Sequence, residues 1–303
     1  MKRDFTRLLD VTQLEAAYLL ERAAFLKKVR KMRGVFKPLT NRVLAMIFEK
    51  ASTRTRISFE IGMKELGGEA VFLSSTDTQM GRGEPIRDTA RVLDRYVDAI
   101  MIRTYGQETV DELARWSKVP VINGLSDLCH PCQILADIFT IQEFKGDLRG
   151  LKIAYIGDGN NVANSWLEAS ILFGLSLTMA TPAHYRPNEE LLERAQANER
   201  FVYTHDPAVA ASEADVVNTD VWVSMGMEKE KEERKKAFAP FCIDSELLKK
   251  AKGDVIVMHC LPAYRNQEIS EEVFERFHEI IFTQAENRLH VQKALLEWLV
   301  EEV

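Results

Sequence analysis

The chain has 303 residues, of which 46% are hydrophobic and 28% charged, and its formal net charge is −6. This composition excludes a disordered, collagen-like or coiled-coil protein, and the negative balance gives no electrostatic reason to expect a nucleic acid or an anionic membrane as partner. No run of about 18 apolar residues is present, the first residues lack the apolar core of a signal peptide, and four cysteines are too few for a disulfide scaffold, so we expect a cytoplasmic protein with no membrane partner.

The N-terminal half of the sequence alternates between buried strands and amphipathic helices. A capping box at Thr12–Glu15 predicts the start of a first helix, which ends near Gly34. Helical patterns also begin near Thr53 and Pro131, and another includes Ala90. Short apolar runs predict parallel strands at 43–48, 70–73, 99–102 and 119–123. This alternation is typical of a parallel sheet covered by helices.

A polar, glycine-containing stretch at 145–150 separates this half from a second alternating half. Further strands are predicted at 151–156, 176–180, 216–218 and 255–258. We therefore expect an α/β protein of two doubly wound parallel-sheet domains of similar size, residues 1–147 and 148–287. The last helix, 288–303, is expected to pack back on the first domain. Because such sheets bind ligands beyond the carboxyl ends of their strands, we expect an active-site cleft between the domains.

An anion site is predicted where the first strand leads into its helix. The segment at this point is Ser52-Thr53-Arg54-Thr55-Arg56. A helix start offers amide donors and a partial positive charge, and arginine adds a planar fork that suits phosphate. Arginine is poorly placed beside the positive end of a helix unless an anion sits there. The alternative is a helix cap followed by a solvated charged face.

The segment Cys129-His130-Pro131-Cys132-Gln133 opens another helix after a strand. Its two cysteines admit a redox pair, or half of a zinc site completed by His259 and Cys260. Neither is favoured, because no thioredoxin-sized β-α-β unit surrounds the pair and His259 is far away in the sequence. The third interpretation is that His130 is a structural histidine and that Cys129 and Cys132 are buried thiols.

In the second half, Gly157-Asp158-Gly159-Asn160-Asn161 follows a strand and resembles a dinucleotide-binding turn. The third glycine of the G-x-G-x-x-G pattern is replaced by Val162, which argues against a nicotinamide cofactor. The turn still brings Asn161 to the start of a helix. Asn161 is therefore a candidate contact for a ligand.

Two further strand ends carry polar groups. Asp220 follows the strand at 216–218 and suits a cationic ligand, and Ser224 and Met225 lie shortly after it. Cys260 ends the strand at 255–258 and is either a nucleophile or a polar lining group. By contrast, the charge run at 228–236 is interpreted as a solvated helix face.

Together these segments resemble the aspartate/ornithine carbamoyltransferase family over essentially the whole chain. The resemblance rests on Ser52–Arg56, Gln79–Glu84, His130–Gln133, Asp220 with Ser224–Gly226, His259–Pro262 and Ala285–Arg288. The segments Ser224–Gly226 and His259–Pro262 are similar to the ornithine branch. The resemblance implies transfer of a carbamoyl group from carbamoyl phosphate to the δ-amine of L-ornithine, with no metal or organic cofactor. It also implies a homotrimer or a multiple of trimers.

The resemblance assigns a role to each matching residue. Carbamoyl phosphate would be bound by Ser52, Thr53, Arg54, Thr55, Gln79, Arg103, His130, Gln133, Cys260, Leu261 and Arg288. Ornithine would be bound by Asn161, Asp220, Ser224 and Met225. Catalysis would involve Arg103, His130, Cys260 and Asp220. Gln79 would complete its own pocket or that of a neighbouring subunit.

The identity of the amine acceptor depends on charge. Asp220 would repel a dicarboxylate such as aspartate and suits an ammonium group. Putrescine and N-acetylornithine remain alternative substrates, although Asn161 and the Met225 amide favour a ligand with an α-carboxylate. A non-catalytic metabolite-binding protein on the same scaffold is the alternative from another functional class.

Overall fold

The structure is a computed structural model that describes residues 2–74, 83–223 and 228–301, without the side chain of Glu228. Within these ranges, no helix has both the length and the apolar character needed to cross a membrane. The chain divides into two compact units. Unit 1 comprises Met1–Phe139 and Glu286–Val303, and unit 2 comprises Thr140–Ala285.

The first half of the chain forms a parallel four-stranded sheet with the strand order β2-β1-β3-β4. Its elements are α1 (Gln13–Lys31), β1 (Val43–Phe48), α2 (Thr53–Glu65), β2 (Glu69–Ser74), α3 (Ile86–Leu93), β3 (Ala99–Arg103), α4 (Gln107–Trp116), β4 (Val121–Leu125) and α5 (Pro131–Lys145). Apolar side chains of β1, β3 and β4 pack against α3 and α4 in the core of unit 1. The chain leaves β1 in one direction and returns through β3 on its other side, so the strand order reverses between these two strands.

The second half forms a parallel five-stranded sheet with the strand order β7-β6-β5-β8-β9. Its elements are β5 (Lys152–Ile156), α6 (Asn161–Phe173), β6 (Ser176–Ala180), α7 (Glu189–Ala195), β7 (Phe201–Thr204), α8 (Pro207–Ala211), β8 (Val216–Thr219), α9 (Lys231–Phe238), α10 (Ser245–Leu248), β9 (Ile256–His259) and α11 (Glu271–Glu301). The strand order reverses between β5 and β8. Two doubly wound parallel sheets, as the sequence predicts, are confirmed.

Local signals in the sequence located the first helix and the central strands. Thr12 caps α1 in a capping box with Glu15, and β1 and β6 have the predicted bounds of 43–48 and 176–180. Neither α4 nor β7 was predicted separately. The predicted last helix was too short, because α11 begins at Glu271 rather than at 288. Its early part belongs to unit 2 and its later part to unit 1.

The two units meet along the chain inside α5, between Phe139 and Thr140. The boundary predicted at 147 is based on the polar stretch at 145–150, which comes at the end of this helix. The two positions differ because a helix can belong to two compact units, whereas a composition signal marks only the loop that follows it. In unit 1, α11 packs on α1 and α2 through ion pairs of Glu297 with Arg22, at 2.7 Å, and of Lys293 with Glu65, at 2.8 Å.

Gly159 lies where the turn after β5 passes against another backbone segment. A Cβ atom at this position would overlap the backbone carbon of Arg186 and the backbone nitrogen of Pro187. The Gly159 amide also donates to the Tyr185 carbonyl at 3.1 Å, which keeps the two segments together. Only glycine fits here, because backbone atoms cannot move aside as a flexible side chain can.

We predict that Gly159→Ala lowers the free energy of unfolding by about 1–3 kcal/mol, because it overpacks a rigid contact. Thermal or urea denaturation would measure this loss. Gly253→Ala is the matched control, since a Cβ atom there meets nothing within 4 Å. Equal stability of the two variants would contradict the close approach at Gly159.

Candidate active site

In unit 1, the loop after β1 leads directly into α2. Ser52 is the N-cap of this helix, and its hydroxyl accepts a hydrogen bond from the Thr55 amide at 3.1 Å. Thr55 is buried and Arg54 is half-buried, whereas Thr53 is exposed. The helix start therefore presents its partial positive charge together with hydroxyl and guanidinium donors.

Two more arginines of unit 1 are buried close to this helix start. Arg103 ends β3 and lies in register with Phe48, the last residue of β1. Arg288, from α11, donates through Nη2 to the Thr55 hydroxyl at 2.7 Å. Adjacent strand ends and one distant helix thus contribute to the same place.

His130 is buried at the start of α5, and the charges around it are positive. Its pKa is held well below the usual 6.5, first by burial and then by Arg288, Arg103 and Arg54. The imidazole is therefore neutral at physiological pH and can donate one hydrogen bond without adding a charge. Three guanidinium groups near a neutral donor form a site suited to a multiply charged anion.

A pocket with a volume of about 700 Å³ opens beside the start of α2. Its lining includes Ser52, Thr53, Lys50 and Arg56. Another pocket, of about 540 Å³, lies near Arg3 and Trp298 and contains none of the predicted site residues. Of the predicted phosphate contacts, Ser52 and Thr53 line the pocket at α2.

Gln133 follows His130 in the first turn of α5 and is buried. Its backbone amide donates to the His130 carbonyl at 3.0 Å, and its side-chain Nε2 donates to Asp137 at 2.8 Å. The helix start thus holds the histidine and the glutamine in a fixed relation to each other.

Cys129 and Cys132 are structural thiols in unit 1. Cys132 Sγ donates to the Asn123 carbonyl at 3.5 Å, and Cys129 Sγ lies 3.4 Å from the side-chain oxygen of Gln107. Burial raises the pKa of Cys132 to about 12. Because a thiolate is the form that reacts and that binds metals, this geometry disfavours the redox and zinc hypotheses.

In unit 2, the turn after β5 places Asn160 rather than Asn161 against the predicted carboxylate. The Asn160 side-chain oxygen caps α6 by accepting from Val162 and Ala163 amides, at 2.9 and 3.3 Å. This cap fixes the side-chain amide, so that its nitrogen donates to Asp220 Oδ2 at 2.7 Å. Asn161 is the first residue of α6. Asparagine before an apolar helix is an N-cap signal, and it could have identified Asn160 from the sequence.

Asp220 and Cys260 end adjacent strands of unit 2 and form a hydrogen-bonded pair. Cys260 Sγ lies 2.8 Å from Asp220 Oδ1, which also accepts from the Val221 amide at 2.8 Å. Both side chains are buried. A thiol that donates to a carboxylate leaves the negative charge on Asp220, so this cluster suits a cation.

A fully buried histidine fixes the loop that follows Cys260. His259 Nδ1 accepts from the Leu261 amide at 2.9 Å, so the ring proton lies on Nε2 and is donated to Glu268 Oε1 at 3.1 Å. The same carboxylate oxygen accepts from the Tyr264 amide at 2.6 Å. Sequence spacing gave no signal for Glu268, which holds the loop from eight residues beyond Cys260.

One group of potential metal ligands occurs in the described ranges, formed by Asp220, His259 and Cys260, whose ligand atoms lie within 4.8 Å of one another. Both ring nitrogens of His259 already have protein partners, and the Cys260 thiol donates to Asp220. The present hydrogen bonds therefore fit a polar network better than a metal centre.

The prediction that residues 228–236 form a solvated helix face was wrong for Arg234. Its guanidinium is buried and donates to Asp158 and to the Trp222 carbonyl, both at 2.9 Å. Arg234 also contacts the faces of Tyr185 and Phe238. The sequence pattern does not distinguish this buried arginine from its solvated neighbours, because its partner Asp158 is 76 positions away in the sequence.

The predicted contacts Gln79, Ser224 and Met225 lie outside the described residues. The other predicted residues fall into two groups. Unit 1 holds Ser52, Thr53, Arg54, Thr55, Arg103, His130, Gln133 and Arg288. Unit 2 holds Asn161, Asp220, Cys260 and Leu261.

Two family models match the chain, one for each half of the sequence. Residues 3–143 match the carbamoyl-P binding domain of aspartate/ornithine carbamoyltransferase, and residues 149–299 match its Asp/Orn binding domain. The chain belongs to the aspartate/ornithine carbamoyltransferase family. The resemblance inferred from the sequence motifs is thereby confirmed.

Individual relatives cover almost the whole chain. A protein of Methanoculleus marisnigri named ornithine carbamoyltransferase is 52% identical over 301 residues, which is 99% of this chain and 97% of the relative. The crystal structure of ornithine carbamoyltransferase from Pyrococcus furiosus is 48% identical, with a TM-score of 0.95, and the match covers 100% of this chain and 98% of that one. The anabolic enzyme of Campylobacter jejuni is 46% identical with a TM-score of 0.94, covering 99% and 100%.

The depressed pKa of His130 gives a prediction about stability. The unfolded chain takes up a proton at this histidine near pH 6.5, whereas the folded chain does not, so the stabilising contribution is present above pH 6.5 and is lost as the pH falls below it. We expect His130→Gln to reduce the slope of the unfolding free energy against pH by up to about 1.4 kcal/mol per pH unit on the acid side of 6.5.

Urea denaturation of wild type and variant at pH 5, 6 and 7 would measure this slope. His184→Gln is the control, because the His184 side chain is exposed and its replacement is not expected to change the slope. An unchanged slope for His130→Gln would mean that this imidazole is protonated in the folded protein.

Proposed function

We propose that this protein transfers the carbamoyl group of carbamoyl phosphate to the δ-amine of L-ornithine, giving L-citrulline and phosphate. Family membership and relatives with that name support the reaction. The observation that carries the proposal is the opposite charge of the two clusters. In unit 1, three arginines lie around His130. In unit 2, the Asp220 carboxylate is hydrogen-bonded to the Cys260 thiol.

We assign the phosphate group to the start of α2. Ser52, Thr53, Arg54 and Thr55 supply hydroxyl, amide and guanidinium donors, and Arg103 adds a second guanidinium. Arginine binds phosphate through two parallel hydrogen bonds, so it fixes the orientation of the group as well as its charge. Gln79 is assigned to the same pocket on the basis of the family resemblance alone.

The carbamoyl group needs donors and acceptors on its two ends. Thr55, Arg103 and His130 are assigned as donors to the carbonyl oxygen, where negative charge develops when the amine attacks. The Gln133 side-chain oxygen and the Leu261 carbonyl are assigned as acceptors for the carbamoyl amine, with Arg288 beside that amine. Cys260 is assigned to a position near the attacking δ-amine. Loss of one donor to a developing oxyanion typically costs about 3–4 kcal/mol in the transition state.

The ornithine amine must lose a proton before or during attack. An unperturbed lysine-like amine has a pKa of about 10.4, so only about one molecule in a thousand is neutral at pH 7.4. The hydrogen-bonded pair of Asp220 and Cys260 supplies an acceptor for the amine proton. The amine nitrogen forms a bond to the carbonyl carbon, the bond from that carbon to the phosphate oxygen breaks, and phosphate leaves with the electron pair.

Substrate choice follows from the negative charge in unit 2. We assign Asp220 to an ammonium group of ornithine, with Asn161, Ser224 and Met225 as further contacts of the α-amino and α-carboxylate groups. Asn160 holds Asp220 in place through the bond at 2.7 Å. An aspartate substrate would bring like charges together, which disfavours it strongly.

The proposed chemistry uses side chains alone, without a metal or an organic cofactor. Cys260 acts as a proton-handling and orienting group, because its thiol is already hydrogen-bonded to Asp220. All four cysteines lie in the described part of the chain and none forms a disulfide, which supports a reducing compartment such as the cytoplasm.

We predict that Asp220→Asn lowers kcat/KM for ornithine by roughly 10- to 150-fold, because one charge-assisted hydrogen bond worth about 1.5–3 kcal/mol is lost. Affinity for carbamoyl phosphate should stay unchanged. A colorimetric citrulline assay, with putrescine, N-acetylornithine and aspartate as parallel acceptors, would measure this.

Asp254→Asn is the control for that assay, since Asp254 is an exposed carboxylate paired with Lys145. The control should keep wild-type kinetics. If the wild-type protein forms no citrulline but carbamoylates putrescine or N-acetylornithine, the assigned substrate is wrong. If no acceptor is carbamoylated, the protein is a binding protein and the proposed reaction fails.

We also propose that the protein forms a homotrimer through unit 1. The edge strand β2 exposes Val71 and Phe72, and the neighbouring helix α2 exposes Ile57. The Arg56 guanidinium lies over the Phe72 ring, 3.9 Å from its centroid, and Phe72 is still 37% exposed. An unpaired strand edge with exposed apolar side chains is a common association surface.

Light scattering on the purified protein should give three times the chain mass of 34.6 kDa, or a multiple of that value. Val71→Glu should shift the mass toward that of one chain, because it places a charge in an apolar contact. Val202→Glu is a matched control, since Val202 is equally exposed, at 47%, on the edge strand β7 of unit 2. A trimer that persists in Val71→Glu would exclude β2 as the interface.

A further inference from the structure

Unit 1 contains two glutamine–aspartate pairs with the same helical spacing. In α4, Gln107 Nε2 donates to Asp111 at 2.9 Å, and in α5, Gln133 Nε2 donates to Asp137 at 2.8 Å. Residues four positions apart lie on the same face of a helix, so each aspartate holds the amide of its glutamine from the same direction. The two pairs differ in what the glutamine oxygen contacts.

The oxygen of Gln107 is satisfied within the protein. It accepts from the Ser126 hydroxyl at 2.6 Å and from the Asn123 side-chain amide at 3.2 Å. The Gln107 side chain thus has protein partners at both its amide nitrogen and its amide oxygen. Its role is structural, and it shows what the arrangement looks like when no ligand is needed.

The oxygen of Gln133 has no such partner. The residue is 1% exposed, and its Oε1 is buried with no hydrogen-bond partner among residues 2–74, 83–223 and 228–301. A buried acceptor without a donor destabilises a folded protein, and native structures contain few of them. A ligand that brings an N–H donor would satisfy this oxygen.

Asp137 determines which end of the Gln133 amide faces that ligand. A carboxylate oxygen accepts hydrogen bonds, so the amide nitrogen turns toward Asp137 and the amide oxygen turns away from it. If the amide were flipped, two oxygens would face each other in a buried place. The aspartate thus makes the glutamine an acceptor for the ligand.

We propose that Asp137 is a positioning residue that makes this site selective for an acyl phosphate whose acyl group carries an NH₂. The inference rests on the proposed function, in which Gln133 holds the amine of carbamoyl phosphate. Acetyl phosphate has a methyl group in the same place and offers no donor. Selectivity between these two anions therefore reports on the orientation of the Gln133 amide.

The experiment compares three ligands on the full-length protein by calorimetry or competition, namely carbamoyl phosphate, acetyl phosphate and inorganic phosphate. In Asp137→Asn, the new amide can donate as well as accept, so Gln133 is free to flip. We expect the preference for carbamoyl over acetyl phosphate to fall about tenfold, which corresponds to one hydrogen bond, while affinity for inorganic phosphate changes less than about twofold.

Asp111→Asn is the matched control and should keep the wild-type preference, because it alters the satisfied pair in α4. In a Gln133→Met background, Asp137→Asn should have no further effect on the preference, since the amide that it orients is gone. Asp137→Ser, whose hydroxyl can also donate, replaces Asp137→Asn if that variant does not fold.

An unchanged preference in the Asp137 variants overturns the inference. So does an equal loss of affinity for all three ligands, which would mean that Asp137 only supports the local structure. Citrulline formation by the wild-type protein separates the two proposals. If the wild type forms citrulline and the preference is unchanged, only the role of Asp137 fails, whereas a wild type that binds no carbamoyl phosphate overturns both.

Discussion

Parallel strands in one sheet all end at the same edge, and the residues that follow them are brought together whatever their distance in sequence. In unit 1, β1 and β3 flank the reversal of strand order, and they are followed by Ser52 and ended by Arg103. In unit 2, β5 and β8 flank the corresponding reversal, and they are followed by Asn160 and Asp220. Helices cannot cover the sheet edge at such a reversal, so both units use it for polar groups.

The charge of each cluster then determines what it can bind. Burial first, and then three guanidinium groups, depress the pKa of His130, so this imidazole stays neutral and does not add to the repulsion among the cations. Unit 2 has the opposite arrangement, because the Cys260 thiol and the Asn160 amide both donate to one carboxylate. The positive cluster of unit 1 thus suits an anion, and the negative cluster of unit 2 suits a cation.

Sequence patterns located the strands of both sheets except β7, since apolar runs and helix caps are local signals. They were insufficient where the deciding partner is distant. Arg234 belongs to a charge run that resembles a solvated face, yet it is buried against Asp158. The early start of α11 was missed, although Ser270 before Glu271 is an N-cap signal and its hydroxyl accepts from the Val273 amide at 3.2 Å. Gln133 was identified through its motif, whereas Asp137, four residues later on the same helix face, carries no signal until the amide contact is known.

The buried glutamines Gln107 and Gln133 differ in whether the protein itself supplies a donor for the side-chain oxygen. The Gln107 side-chain oxygen accepts from Ser126 and Asn123, and His259 Nδ1 accepts from the Leu261 amide, so these bonds stabilise the loops that carry His130 and Cys260. The oxygen of Gln133 is buried at the same depth without a donor. Folding alone would not favour that arrangement, because an apolar side chain would fill the space without the cost of desolvating an amide oxygen. The cost is tolerated where a ligand supplies the missing donor, and a rigid aspartate on the same helix keeps the acceptor ready before the ligand arrives.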